Sequence, residues 1–194
     1  MTATARTHRT SRPRLVRDER GQGVVEFALI LPALLLILVG ILEFGSIYSD
    51  VISMRQGVRE AGRQGSVGNV GSTPDCGLSP DDSPSADMKS LMCLAKAQAG
   101  VGDGIKLRVK FANEDLTLTG SPTFKPGNAI IICAVYPLQS LTGMFQPFLN
   151  GRNARTKAAF RIEKDKKPDG TPVVATAGGE ADPTGANWVW CKGT

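Results

Sequence analysis

Hydrophobic residues are spread very unevenly along this chain. From Phe27 to Leu42, sixteen consecutive residues carry no charge or strongly polar group, and beyond Glu43 the apolar character runs on to about Tyr48. At a rise of ~1.5 Å per helical residue, Val24 to Tyr48 reaches about 37 Å, enough to cross a ~30 Å hydrocarbon layer. The pattern predicts one transmembrane helix, with Pro32 removing a backbone donor early in the span. A cleaved secretory signal has a shorter apolar core, about 7–15 residues, followed by a small-x-small site. Here the core is followed by Glu43-Phe44-Gly45-Ser46-Ile47-Tyr48, with bulky groups where a signal peptidase needs small ones. The helix is therefore expected to stay on the protein.

Past the span the helical period continues. Val51, Met54, Val58 and Ala61 fall on one stripe, and Arg55, Arg59 and Arg63 repeat every four residues on another. Two readings stand side by side. The apolar stripe can pack on the chain's own domain, or the arginine row can face anionic headgroups or an acidic partner. Glu60 can pair with Arg63 or Gln56. Residues 66–86, rich in Gly, Ser, Pro and Asp, read as a linker.

The remainder mixes periods. Asp87–Ala99 predicts a short helix with Asp87 as N-cap and Met88, Leu91, Ala95 and Ala99 on its inner face. Gly100, Gly102 and Gly104 predict a turn. Ile105, Leu107, Val109 and Phe111 alternate with Lys106, Arg108 and Lys110, a half-buried strand with a basic outer face. Asp115–Thr119 is a weaker strand candidate. Asn128–Tyr136 is continuously apolar through Ile130, Ile131, Ile132, Cys133 and Ala134 and predicts the central strand, and Ala154–Ile162 alternates again before a charged loop. The fold class is α+β: a long N-terminal transmembrane helix with an amphipathic extension, then a small disulfide-stapled domain with one short helix and an antiparallel sheet of three to four strands. The expected organisation is a basic leader over 1–21, helix and stem over 22–65, linker over 66–86 and an exported domain over 87–194.

Charge sets the orientation. Six arginines precede Gly21, against Asp18 and Glu19, so most of the formal charge of +5 lies in the leader. Crowded there, they keep the N-terminus cytoplasmic and send the C-terminal domain outside a cytoplasmic membrane. They do not make a nucleic-acid footprint, which needs clustered basic residues on a folded surface. Cys76, Cys93, Cys133 and Cys191 all follow the span, and their even number points to two disulfides in an oxidising compartment. Three pairings are possible. Cys76–Cys93 with Cys133–Cys191 is favoured, tying the linker to the helix and the chain's last residues to the central strand.

Glu26 stands out because a carboxylate at the mouth of an apolar helix is costly unless it has a partner. Its setting is Arg20-Gly21-Gln22-Gly23-Val24-Val25-Glu26-Phe27: a basic leader, a glycine, a glutamate five residues later and an unbroken hydrophobic helix. This resembles the processing site of type IV pilins and pseudopilins. The resemblance implies cleavage between Gly21 and Gln22 by a membrane-embedded prepilin peptidase. It also implies that Glu26 recognises the new N-terminal amine of a neighbouring subunit. The longer series Gly21 to Pro32, then Glu43-Phe44-Gly45 at the membrane edge, then Val58-Arg59-Glu60-Ala61-Gly62-Arg63, is similar to the TadE-like minor pseudopilins of tight-adherence (Tad/Flp) pilus systems. It departs from that family's usual segment only in swapping small residues around Arg59, Glu60 and Arg63. The implied partners are membrane lipid, prepilin peptidase, other pilins or pseudopilins and Tad inner-membrane assembly proteins, with no nucleic acid and no small-molecule substrate.

Catalytic chemistry finds little support. The single histidine is His8, in the leader, so Ser-His, Cys-His and His-metal chemistry are closed to the exported part. Glu114, Asp115, Glu163 and Asp165 show no pairing pattern, and Asp81, Asp82 and Asp87 lack the spacing of a calcium loop. No enzyme activity, cofactor or metal is expected. The competing non-enzymatic reading is a signal-anchored extracellular binding or adhesion module with no pilus role.

Overall fold

A computed structural model describes residues 21–71, 76–102, 104–185 and 187–192, so the leader arginines lie outside the described residues. The chain divides into two compact units, Met1–Ile41 and Leu42–Thr194. In chain order the elements are α1 (Gln22–Ser66), α2 (Ala86–Ala99), β1 (Lys106–Ala112), β2 (Ala129–Pro137), α3 (Gln146–Leu149), β3 (Asn153–Arg161) and β4 (Gly178–Gly179).

In the first unit α1 is helical straight through Pro32, and no residue from Gln22 to Ile41 is buried. An 18-residue window of α1 has a mean hydropathy of 2.8. By length and composition this helix can cross a membrane, which fits a single-pass anchor.

The second unit is an α+β domain built on an antiparallel sheet of order β3-β2-β1-β4. The continuously apolar β2 lies inside it, and its two faces have different covers. Ile130, Ile132 and Ala134 face the main core, shared with Met54, Val58 and Ala61 of the stem and Met88, Leu91, Met92 and Ala95 of α2. Ile131, Cys133 and Val135 face a smaller core closed by Trp188 and Cys191. A strand buried on both faces has no polar side to alternate with, hence the unbroken apolar run.

The apolar stripe of the stem therefore packs on the chain's own domain. Small residues set how closely it packs. A Cβ on Gly57 would come 2.5 Å from the Ala95 carbonyl oxygen and 2.7 Å from the Ala99 amide nitrogen, and one on Gly62 would strike the Phe160 ring.

Two disulfides join Cys76 to Cys93 and Cys133 to Cys191. The second closes a sequence separation of 58 residues, and on a loop-closure account it stabilises a small domain by roughly 4 kcal/mol. Between α1 and α2 the described residues, 67–71 and 76–85, form no helix or strand, yet Val70 is buried in the core and Asp82 pairs with Arg108.

Two local expectations are corrected. The N-cap of α2 is Ser85; Asp87 sits in the first turn, where its carboxylate accepts the Val174 amide and pairs with Lys167 at 2.7 Å. Residues Asp115–Thr119 are a turn, not a strand. Leu116 has φ +62°, and Asp115 accepts both the amide and the hydroxyl of Thr117. Side-chain bonding of this kind competes with a strand ladder.

Candidate functional site

The candidate residues fall into three settings along α1. At the N-terminal end Glu26 is exposed, and one of its oxygens accepts a hydrogen bond from Gln22 Nε2 at 3.1 Å, one helical turn away. Gly21 precedes it in an open setting: a Cβ built there meets nothing within 4 Å. The same holds for Gly23, Gly40 and Gly45. Packing among the described residues gives no reason for glycine at these four positions. Gly57 and Gly62 differ, since their neighbours leave no room for a side chain.

The second setting is Glu43. Sequence reasoning places it at the edge of the span, but does not anticipate its partners. Its side chain is held by the connection between β2 and β3. One oxygen accepts the Thr142 amide at 2.6 Å, the Thr142 hydroxyl at 2.5 Å and the Ser140 hydroxyl at 2.8 Å. The other accepts the Leu141 amide at 2.9 Å. Glu43 is 2% exposed, so these four donors replace its water, as a buried carboxylate requires. The loop supports its own shape: the Gln146 side chain accepts the Ser140 amide, and the Thr142 and Ser140 hydroxyls accept the Met144 and Phe145 amides. The partners lie 97 to 99 residues from Glu43 in sequence, a separation no local pattern reveals. The neighbouring Phe44 is exposed.

The third setting is the arginine row. Arg55, Arg59 and Arg63 are all exposed. Arg63 forms a two-pronged contact with Glu60, at 2.9 and 3.1 Å, and Gln64 adds a third hydrogen bond to the same carboxylate. Arg59 and Arg63 line an open groove of about 800 Å³ whose other wall includes Lys157 and Phe160 of β3. It is a shallow, basic surface and not an enclosed pocket.

Residues 21–63 match the family model of the TadE-like proteins. This TadE-like segment contains all three settings: Gly21 with Glu26, the Glu43-Phe44-Gly45 motif, and Arg55, Arg59 and Arg63. It stops before the linker, so the sheet domain lies outside it. The chain matches no curated protein and no solved structure.

Two carboxylates elsewhere, Glu180 and Glu114, have structural partners. Glu180 is fully buried, with Lys106 at 3.0 Å, Lys96 at 3.3 Å and the Leu107 amide at 3.2 Å, while its backbone carbonyl accepts the Trp188 indole N–H. Two lysines and an amide offset the cost of burying this carboxylate, and the cluster fixes β4 and Trp188 against β1. Glu114 is exposed and bound to Arg161. Among the described residues, no group of three or more His, Cys, Asp or Glu side chains is arranged to hold a metal ion.

Proposed function

We propose that this chain is a minor pseudopilin-like subunit that takes part in assembling a Tad/Flp pilus or a related secretion apparatus. The observation that carries the reading is the N-terminal end of the TadE-like segment. There a glycine with no packing role among the described residues stands ahead of Gln22, and an accessible carboxylate, Glu26, lies in the first turns of a helix that is apolar all round beyond it. A carboxylate in that position favours a cationic partner inside the membrane. Cleavage between Gly21 and Gln22 by a prepilin peptidase would create one, since the new amine on Gln22 of an adjacent subunit can pair with Glu26. The leader stays cytoplasmic before cleavage, and the sheet domain stands on the far side of the cytoplasmic membrane, where its disulfides persist. The role is assembly through protein and lipid contacts and not catalysis.

N-terminal mass analysis of the native protein tests the maturation step. A chain beginning at Gln22 is expected, and an intact leader would leave only a signal-anchored binding or adhesion module. Gly21→Ala should slow or abolish leader removal, because the added methyl meets nothing within 4 Å among the described residues and so acts on the peptidase. Glu26→Ala should leave the domain's unfolding midpoint unchanged while filament assembly fails. A strain carrying Glu26→Ala with normal pili would remove Glu26 from the assembly step.

A further inference from the structure

Six large apolar side chains beyond α1 are exposed among the described residues, and three of them fall within eight positions: Leu141 at 71%, Met144 at 59% and Phe148 at 74%. They stand on the connection between β2 and β3 that clasps Glu43. Residues 138–152 contain no acidic side chain, and their single charge is Arg152. Glu43 directly follows Leu42, the last residue of the uncharged run. The groups that bind its carboxylate are thus within a few ångströms of the point where that run ends, whatever the tilt of the helix. On the helix itself Phe44 and Tyr48 are exposed beside the same point.

From this placement we infer that the 141–148 connection is a second membrane contact. Leu141, Met144 and Phe148 enter the headgroup–acyl boundary of the bilayer that α1 crosses, with Glu43 as the clasp that holds them there. The inference rests on the membrane-anchor reading of α1. Two features point to phospholipid as the occupant. The loop is tied to the end of the span, and it exposes long apolar side chains with no acidic residue among them, as the apolar face of an interfacial segment does. Such segments sit about 5–10 Å into the boundary. Phe44 and Tyr48 suit the same zone, where aromatic rings collect.

The full chain in phosphatidylcholine/phosphatidylglycerol vesicles tests this, using one introduced cysteine at a time for an environment-sensitive fluorophore. Leu141→Cys and Phe148→Cys report the loop, Ile37→Cys the span, and Lys164→Cys the region beside Ser66, whose carbonyl accepts the Lys164 amide at the other end of the stem. All four side chains are exposed, so labelling leaves the core intact. Labels at 141 and 148 should shift to the blue and lose intensity to lipids brominated near the headgroup, the label at 37 should be quenched by lipids brominated deep in the chain, and the label at 164 by neither. Quenching at 37 with water-like emission at 141 and 148 overturns the inference while leaving the anchor standing. A water-exposed label at 37 overturns both. Blue shifts at 141 and 148 that grow with the protein-to-lipid ratio, without quenching by brominated lipid, assign the patch to a second copy of the chain and also overturn it.

Discussion

From Gln22 to Ile41, α1 carries leucine, isoleucine, valine and phenylalanine all round, and none of these residues is buried among the described residues. From Leu42 to Ser66 the same helix buries Met54, Gly57, Val58, Ala61, Gly62 and Gly65 on one stripe and exposes Arg55, Arg59 and Arg63 on another. The two stretches follow one rule in two solvents. An all-round apolar surface suits hydrocarbon, whereas a stripe suits a protein core with water on the opposite side. Glycine also changes meaning along the helix: nothing lies within 4 Å of an added Cβ at 23, 40 and 45, and neighbouring atoms crowd it at 57, 62 and 65.

The contrast can be broken by truncation. Met54→Ala removes a fully buried side chain and should lower the stability of the sheet domain by about 2–5 kcal/mol in a urea titration followed by tryptophan fluorescence. Leu38→Ala, in the outward-facing stretch, should leave that midpoint where it is. Adding a methyl group gives the next effect. Gly57→Ala drives a Cβ into the backbone of α2 and should cost about 1–3 kcal/mol, while Gly40→Ala should not move the midpoint. Equal effects at positions 40 and 57 would end the distinction between the stretches.

Smaller, local effects sharpen the boundary. Glu43→Ala should speed hydrogen exchange at the Leu141 and Thr142 amides, which donate to its carboxylate, and leave the β1 and β2 amides protected. Acid should act last on the smaller core. Burial pushes the Asp182 carboxyl up, but hydrogen bonds from Thr184 and the Trp188 amide outweigh it and hold the group below its usual value. A lowered folded value stabilises the fold above the ordinary carboxyl value of ~3.9 and ceases to do so as pH falls through the lower one. Trp188 emission should therefore stay constant down to that range and then shift to the red, and Asp182→Asn should flatten this acid limb.

How far these features could be read in the residues depends on the range of the forces behind them. The span, α2 and strands β1 to β3 come from local periodicity, and the motif at Gly21 and Glu26 from spacing within a single helix. Strand β4 is two glycines, with no side chain to show a period. It exists because a bare backbone can approach β1, where a Cβ on Gly179 would come 2.5 Å from the Leu107 carbonyl oxygen. Asp115 has polar neighbours within reach of its own turn, and they override the weak strand pattern. The clasp on Glu43 and the seat of Glu180 join residues far apart in sequence, so they become visible only once the chain is folded.

Cys133 and Cys191 are both completely shielded from solvent, whereas Cys76 is partly open. Thiol–disulfide exchange needs an incoming sulfur to reach its target. A bond hidden beneath Trp188 can therefore be made only while the molecule is still unfinished, and afterwards no small thiol can undo it without first prising that region apart. The chain consequently carries one crosslink that is sealed once folding is complete and another that stays partly open to later exchange.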